Sequence, residues 1–195
     1  VSTSNPVKVF FSEDTLHRIR LIATSNYGCI DSTERLVIAF PKPNPLFDIL
    51  NDSQCLINNE FDFQSVSTIK YGSLNYNWEF GDGNQTNNNN QVSHSYISDG
   101  HYRVKLTVTS NEGCFDTTSK ELNVWPMPKG DFIYNDSAQC LEQNYYKFTN
   151  KSTIKFGQLS YWWDFGEGTI GDTFNSVSPG YFYSYFGFKR AFLRV

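Results

Sequence analysis

Apolar and polar residues alternate along most of this chain, which is the pattern of a β-strand with one buried face. Aromatic rings occupy every second position of residues 76–80, and aliphatic side chains do the same in residues 104–108. No stretch shows the period of an amphipathic helix. The pattern predicts an all-β chain, with strands in its middle part at 47–50, 60–64, 75–80, 102–109 and 115–124. The polar residues 84–91 are predicted to form a loop.

The aromatic strand ends at a turn made of Gly81, Asp82 and Gly83. Trp78 and Phe80 lie on the face that we expect to be buried, because adjacent rings are too much apolar surface to leave in water. The two glycines can adopt a positive φ without a Cβ clash, and Asp82 can bond its own backbone. The sequence therefore predicts a rigid structural corner, and these residues do not pair a nucleophile with a base.

The chain repeats itself with a period of 85 residues. The first and third cysteines are separated by that distance, and so are the second and fourth. A second copy of the corner follows the same period, with the residues Trp163, Phe165, Gly166 and Gly168. Glu167 stands there in the place of Asp82.

The repeat divides the chain into three predicted segments. Residues 1–42 are the C-terminal part of one repeat, residues 43–127 a complete repeat, and residues 128–195 the N-terminal part of a third. Both junctions contain a Pro-x-Pro sequence, at residues 41–45 and 126–128. Such sequences favour an extended, semi-rigid backbone, so we expect successive repeats to lie end to end.

Residues 76–83 and 161–168 resemble the signature of the polycystic kidney disease (PKD) domain, Tyr-x-Trp-Glu/Asp-Phe-Gly-Asp/Glu-Gly. The usual continuation of that family, His-x-Tyr and then Gly-x-Tyr, is present at residues 94–96 and 100–102. The resemblance implies tandem immunoglobulin-like β-sandwich repeats, and it implies a structural hydrogen bond at His94. In the third repeat, an aromatic run at residues 181–186 replaces the expected His-x-Tyr.

Composition and charge exclude several functions. The 195 residues are 17% aromatic and 18% charged, with a formal net charge of −4. No Lys/Arg cluster stands out, which argues against a nucleic-acid partner, and no apolar run is long enough to predict membrane insertion. Motifs for nucleotide, redox and hydrolase chemistry are absent from the sequence. We therefore expect a protein that is not an enzyme and that needs no cofactor.

A calcium ion is the one cofactor for which the sequence offers ligands. Asp52, Glu79 and Asp82 supply oxygens suited to a hard cation, and some PKD domains resemble this in carrying calcium near the domain's start. Against that reading, Glu79 is longer than the usual Asp. The alternative is that these carboxylates only stabilise turns.

Four Asp-Ser/Thr triplets resemble the O-glycosylation acceptor of exported proteins in Bacteroidota. Their acceptor residues are Thr15, Ser32, Thr117 and Ser137. The alternative is that Asp-Ser/Thr simply suits turns and strand ends, and that the repeat copies it.

The cysteines Cys29, Cys55, Cys114 and Cys140 are disulfide candidates, which would place the protein in an oxidising compartment. Cys55 is predicted at the bottom of its sandwich and Cys114 at the top, whereas a disulfide needs Cα atoms within about 7 Å. A bridge within one repeat and a bridge between neighbouring repeats both remain open.

These features together look most like repeat arrays in surface proteins of gliding Bacteroidota, which are exported by the type IX secretion system. The expected function is a rod-like spacer of an extracellular motility adhesin or surface filament. Its expected partners are neighbouring repeats of the same chain, with surface polysaccharide or other cell-surface proteins as further candidates. The alternative is a spacer or carbohydrate-contacting module of a secreted hydrolase, where exposed aromatic residues such as Trp162 would bind polysaccharide.

Overall fold

The computed structural model describes residues 6–87, 89–168 and 173–195, and every regular element in those ranges is a β-strand. The strands of the first two thirds are β1 (Leu16–Thr24), β2 (Ile30–Ile38), β3 (Phe47–Leu50), β4 (Ser53–Cys55), β5 (Phe61–Ser65), β6 (Leu74–Glu79), β7 (Gln85–Asn87), β8 (Gln91–His94), β9 (Gly100–Ser110) and β10 (Phe115–Trp125). Those of the last third are β11 (Phe132–Tyr134), β12 (Tyr146–Asn150), β13 (Trp162–Asp164), β14 (Thr173–Phe174), β15 (Gly180–Tyr181) and β16 (Phe192–Arg194). The all-β prediction is confirmed.

The chain divides into two compact units. Unit 1 consists of residues 1–52, 60–94 and 102–122, and unit 2 of residues 53–59, 95–101 and 123–195. The three predicted segments, 1–42, 43–127 and 128–195, are a statement about sequence repeats and stay a prediction. No helix in the described ranges is long and apolar enough to cross a membrane.

Two sheets in unit 1 face each other as a sandwich around one core. One sheet has the order β3-β5-β8, and the other contains β10-β9-β6-β7. Antiparallel pairing sets Trp78 opposite Leu106 and Phe63 opposite Val92. Because side chains alternate between the faces of a strand, this register turns every second residue inward. The most deeply buried side chains of the unit are Phe47, Phe61, Phe63, Trp78, Val104, Leu106, Val108 and Leu122.

The hairpin β1–β2 in unit 1 has the alternating apolar residues of a sandwich strand pair, but these residues are exposed. It pairs antiparallel along its full length. Leu21 is 65% exposed, whereas Leu106, which lies 85 residues later, is fully buried. The hairpin thus has the sequence of a core-forming strand pair, but none of the described residues forms a sheet over it as β3-β5-β8 does over β9.

Unit 2 contains a second, smaller core. Its sheets have the orders β11-β12-β15 and β14-β13-β16, and its buried side chains are Phe148, Trp163, Phe165 and Tyr183. Trp163 pairs with Leu193, as Trp78 pairs with Leu106 in unit 1. In the same unit, β4 pairs parallel with residues 123–125 of β10. The two cores are therefore built from the same positions of the repeat.

The five predicted strands of the middle segment are present, with ends shifted by no more than two residues. The loop predicted at residues 84–91 is wrong in part, because β7 lies within it and pairs with β6. The sequence Gln-Thr-Asn of β7 shows no apolar alternation. This strand depends on backbone hydrogen bonds at the sheet edge, so the hydrophobic pattern could not reveal it.

Candidate functional site

The first corner forms where β6 leaves the core. Trp78 is fully buried, and its indole Nε1–H donates to the Asn89 carbonyl at 2.9 Å. Phe80 is 3% exposed and marks the last buried position before the turn. Gly81 has a φ of 86°, and a Cβ on it would lie 2.7 Å from the Arg103 carbonyl oxygen. Only glycine fits there, because both the backbone conformation and the close approach exclude a side chain.

Asp82 closes this corner with three hydrogen bonds. Its carboxylate accepts from the Asn84 backbone N–H at 3.0 Å and from the Asn84 side-chain amide at 2.9 Å. His94 Nε2 lies 2.8 Å from Oδ2, the carboxylate oxygen that also accepts from the Asn84 side chain, and the His94 ring stacks on Phe80 with centroids 4.1 Å apart. Partial burial would raise the pKa of Asp82, but hydrogen bonds from Asn84 and His94 outweigh it and hold that pKa below its ordinary value. The corner is a closed structural unit.

The second corner has the same architecture with different residues. Gly166 has a φ of 76°, and a Cβ on it would lie 2.6 Å from the Arg190 carbonyl oxygen. Glu167 accepts a hydrogen bond from the Tyr181 hydroxyl at 3.0 Å and pairs with Lys189 at 2.9 Å. The Lys189 ammonium holds the pKa of Glu167 below its ordinary value, with the Tyr181 hydroxyl adding to the shift. Tyr181 therefore occupies the position that His94 has in the first corner.

A buried asparagine in each copy of the repeat was missed from the sequence. Asn59 donates to the Leu56 carbonyl at 2.6 Å and to the Tyr96 carbonyl at 2.8 Å, and it accepts from the Tyr96 backbone N–H. Asn144 makes the same three bonds with Leu141 and Tyr183. Each asparagine is 6% exposed. The signal was available, since the two asparagines are one 85-residue period apart.

An ion pair is repeated across the two predicted junctions. In unit 1, Lys70 Nζ lies 2.9 Å from Asp14 Oδ1, and in unit 2, Lys155 Nζ lies 2.8 Å from Asp99 Oδ2. Asp99 and Lys155 each follow their counterparts by 85 residues. The hydrogen bond from Lys70 holds the pKa of Asp14 below its ordinary value. Exposed ion pairs of this kind contribute little to stability. They are informative because they show that equivalent residues meet at both junctions.

Aromatic residues accompany both ion pairs. Trp125 packs edge-on against Phe156 with ring centroids 6.1 Å apart. Their counterparts one period earlier, Phe40 and Tyr71, line one small cavity of about 40 Å³. The Tyr71 hydroxyl also donates to the Asp14 backbone carbonyl at 3.1 Å. Aromatic residues at equivalent positions of the repeat therefore lie at both junctions.

A family model described as the PKD domain matches residues 42–124. That segment contains the first corner, its histidine and the strands that pack on it. Residues 42–124 are a PKD domain. Domains of this family are generally non-catalytic modules, and they occur in secreted or cell-surface proteins.

Individual proteins show the same likeness. The chain is 38% identical over 78 residues to collagenase ColA of Clostridium perfringens, which covers 39% of this chain and 7% of that collagenase. The PKD1 domain of Vibrio anguillarum Epp is 31% identical, with 43% of this chain and 93% of that domain covered and a TM-score of 0.38. The PKD1 domain of Vibrio cholerae metalloprotease PrtV is 28% identical, with 43% and 96% covered and a TM-score of 0.38.

Two of the three candidate calcium ligands have other partners. Glu79 pairs with Lys105 at 2.7 Å, Asp82 is bonded by Asn84 and His94, and Asp52 is exposed. Across the described ranges, no three His, Cys, Asp or Glu side chains are grouped so that they could hold a metal. The calcium site stays a prediction without support from this geometry.

The glycosylation candidates of the PKD domain and its flanking segments are all accessible. Thr15, Ser32, Thr117 and Ser137 are exposed. The backbone N–H groups of Ser32 and Thr117 each donate to the preceding aspartate, at 2.8 and 2.9 Å. These bonds fit the turn-stabilising alternative, and the exposure leaves the hydroxyl positions open to modification, so both readings stay open.

The remaining candidates are the cysteines and Trp162. All four cysteines are free thiols, with Cys114 half-buried and the other three exposed. Trp162 is 36% exposed and packs edge-on against Phe192 with centroids 6.3 Å apart. A polysaccharide platform needs a ring face in solvent, and this ring is partly covered by its neighbour.

Proposed function

We propose that this chain is a spacer segment of a multi-repeat extracellular protein, in which PKD-type repeats lie end to end. The observation that carries the proposal is the recurrence of one ion pair, Asp14–Lys70 and Asp99–Lys155, at the two predicted junctions. A contact that recurs at the repeat period indicates a standard way of joining neighbours, as in other repeat arrays. Neighbouring repeats of the same chain are then the principal partners.

The mechanism of such a spacer is mechanical. Residues 43–127 and 128–195 each contain a buried aromatic cluster, and each corner fixes the chain direction with a glycine that no other residue can replace. The short Pro-x-Pro junctions restrict the backbone between repeats. The array would hold a terminal binding domain at a set distance from the cell surface.

The more specific proposal is a motility adhesin or surface filament of a gliding bacterium, exported by the type IX system. It is supported by the resemblance of the Asp-Ser/Thr triplets to O-glycosylation acceptors, and by the exposure of Thr15, Ser32, Thr117 and Ser137. Peptide mapping by mass spectrometry of the protein purified from its own cells tests this proposal. Added hexose-containing mass at these peptides supports it, and unmodified peptides at all four positions contradict it.

Deleting one complete repeat from the parent protein tests the spacer role. Removal of residues 43–127 should shorten the reach of the protein and leave the affinity of its terminal domain for ligand unchanged. Reach is measured by electron microscopy and affinity by a binding titration. If ligand binding is lost while the terminal domain remains folded, the segment itself carries the binding site and the spacer role is wrong.

The second candidate is a spacer or carbohydrate-contacting module of a secreted hydrolase. It is favoured by the 38% identity to a segment of collagenase ColA. Binding of the chain to a panel of insoluble polysaccharides and to collagen decides between the two. Retention on one of them, weakened by Trp162→Ala, would support this candidate. We expect no retention, and no turnover of a glycan or peptide panel.

A further inference from the structure

Cys55 lies beside the last residue of β10 in its own repeat. The parallel pairing of β4 with β10 sets Cys55 opposite Trp125, and the backbone N–H of Leu56 donates to the Trp125 carbonyl at 2.9 Å. The Cys55 side chain is exposed. The thiol is therefore available at the C-terminal end of β10, next to the junction at residues 126–128.

Cys114 lies at the opposite end of the same strand, because it directly precedes β10. The strand has 11 residues, so its length is about 35 Å at 3.2 to 3.4 Å per residue. A disulfide requires Cα atoms within about 7 Å. Cys55 and Cys114 of one repeat therefore cannot bond to each other.

Cys114 instead contacts the preceding repeat. Its Sγ lies 4.0 Å from the Phe40 carbonyl oxygen. Phe40 precedes Trp125 by 85 residues, and each is followed by the first proline of a junction. Phe40 thus holds, in its repeat, the position that Trp125 holds beside Cys55.

Cys55 and Cys114 consequently lie next to equivalent positions of the repeat, Trp125 and Phe40. The Trp125 carbonyl accepts from the residue that follows Cys55, and the equivalent Phe40 carbonyl is contacted by Cys114. We call a cysteine at the repeat position of Cys55 and Cys140 a Cys55-type cysteine, and one at the position of Cys29 and Cys114 a Cys114-type cysteine. When the two junctions are overlaid, the Cys55-type cysteine of one repeat lies next to the Cys114-type cysteine of the following repeat. The two cysteines would then lie beside the same residue, which is the placement that a disulfide between them needs.

We propose that each repeat is joined to the next by a disulfide from its Cys55-type cysteine to the Cys114-type cysteine of its neighbour. The proposal rests on the tandem arrangement proposed above. Formation requires an external disulfide as the oxidant, such as oxidised glutathione or the oxidised form of a disulfide oxidoreductase. The two thiols release two protons, one S–S bond forms, and two electrons reduce the disulfide of the oxidant to two thiols.

Such bridges would run along the whole array. Pulling on the ends of the array would then load the disulfides as well as the Pro-x-Pro junctions. In the chain of residues 1–195, no two of the four cysteines form a neighbouring pair of this type, which agrees with four free thiols.

The test extends the full chain by a copy of residues 109–127 after Val195. Leu193 pairs with Trp163 as Leu106 pairs with Trp78, so Val195 corresponds to Val108 and the copy completes the third repeat. The extended chain has five cysteines, since the sequence contains four. It is oxidised with glutathione, alkylated, digested without reduction and analysed by mass spectrometry.

We expect two free thiols to be lost, with the added cysteine linked to Cys55. The added cysteine linked to Cys140 would show a bridge within one repeat and overturn the proposal. Cys55→Ser should leave the added cysteine free, and Cys140→Ser should leave its bridge intact. A folded extended chain that retains five free thiols also overturns the proposal.

The unextended chain provides a second measurement that does not depend on the added segment folding. After the same oxidation, Cys55 and Cys114 should be recovered in separate peptides, and a peptide linking them would overturn the proposal. Scattering from arrays in reducing buffer separates this inference from the spacer role. An array that remains elongated without disulfides leaves the spacer role standing even if the bridge is absent.

Discussion

The two corners solve one structural problem with two different pairs of side chains. In the first, Asp82 contacts the ring of His94, which stacks on Phe80 at 4.1 Å. In the second, the longer Glu167 contacts the hydroxyl of Tyr181, and that ring stacks at 4.3 Å on the phenylalanine before the turn. Both the acid and the aromatic residue that it contacts change from one corner to the other. The corner therefore requires a carboxylate that reaches a polar aromatic ring on the facing strand, and no particular residue pair.

The surroundings of the two carboxylates also differ. Asp82 takes its remaining hydrogen bonds from Asn84, whereas Glu167 pairs with Lys189. Burial raises the pKa of nearby Tyr183 to about 12, with the Glu167 carboxylate adding to the shift. The second corner thus uses an ion pair where the first uses a neutral amide.

The largest expected loss of stability comes from replacing the buried tryptophan that precedes each corner. Trp78→Ala and Trp163→Ala should each lower the free energy of unfolding by about 3–5 kcal/mol, because each removes a fully buried ring. Trp162→Ala is the matched control, since that ring is partly exposed, and it should cost less. Urea denaturation measures all three. Equal, small losses would mean that the aromatic faces do not form the cores.

The glycines provide the next largest difference. Gly83→Ala should cost about 1–2 kcal/mol, because φ is 96° but no atom lies within 4 Å of the added Cβ. Gly81→Ala should cost a further 1–3 kcal/mol or so, because its Cβ would also meet the Arg103 carbonyl at 2.7 Å. Thermal unfolding of both variants tests this order. Equal stability of the two variants would contradict the prediction that the contact between the added Cβ and the Arg103 carbonyl destabilises Gly81→Ala.

Exchanging the partners tests the corner rule itself. His94→Tyr alone should cost about 1 kcal/mol through the lost hydrogen bond to Asp82. The double variant Asp82→Glu/His94→Tyr reproduces the acid and the aromatic ring of the second corner, and it should recover most of that loss. A double-mutant cycle measures the coupling, which we expect to exceed about 0.5 kcal/mol. Additive costs would show that the carboxylate and the ring act independently.

The smallest expected effect is a dependence of stability on pH. The pKa of Asp82 is lower in the folded chain than its ordinary value of 3.8. Its contribution is therefore fully present above that value and is lost as the pH falls through the lowered pKa. Relative to Asp82→Asn, the unaltered chain should lose less than about 1 kcal/mol on acidification in this window. Parallel pH profiles for the two proteins would contradict the assignment.

The sequence allowed the buried aromatic strand and its glycine turn to be predicted, because alternation and positive φ are local properties. Tyr181 was not recognised as the counterpart of His94. Two extra residues between Glu167 and Tyr181 change the local period from 85 to 87, and the facing residue differs in type. The buried Asn59 was missed because its role depends on Tyr96, which is 37 residues away in the sequence. Contacts between distant residues carry no local pattern.

The tandem arrangement of repeats is tested most directly by small-angle X-ray scattering on proteins of two and three complete repeats. Compact globules of 170 and 255 residues would have radii of gyration of about 15 and 18 Å. End-to-end repeats should exceed both values, and the increase from two to three repeats should be larger than the roughly 3 Å expected for a globule. Radii that stay near the compact values as repeats are added would contradict the spacer proposal.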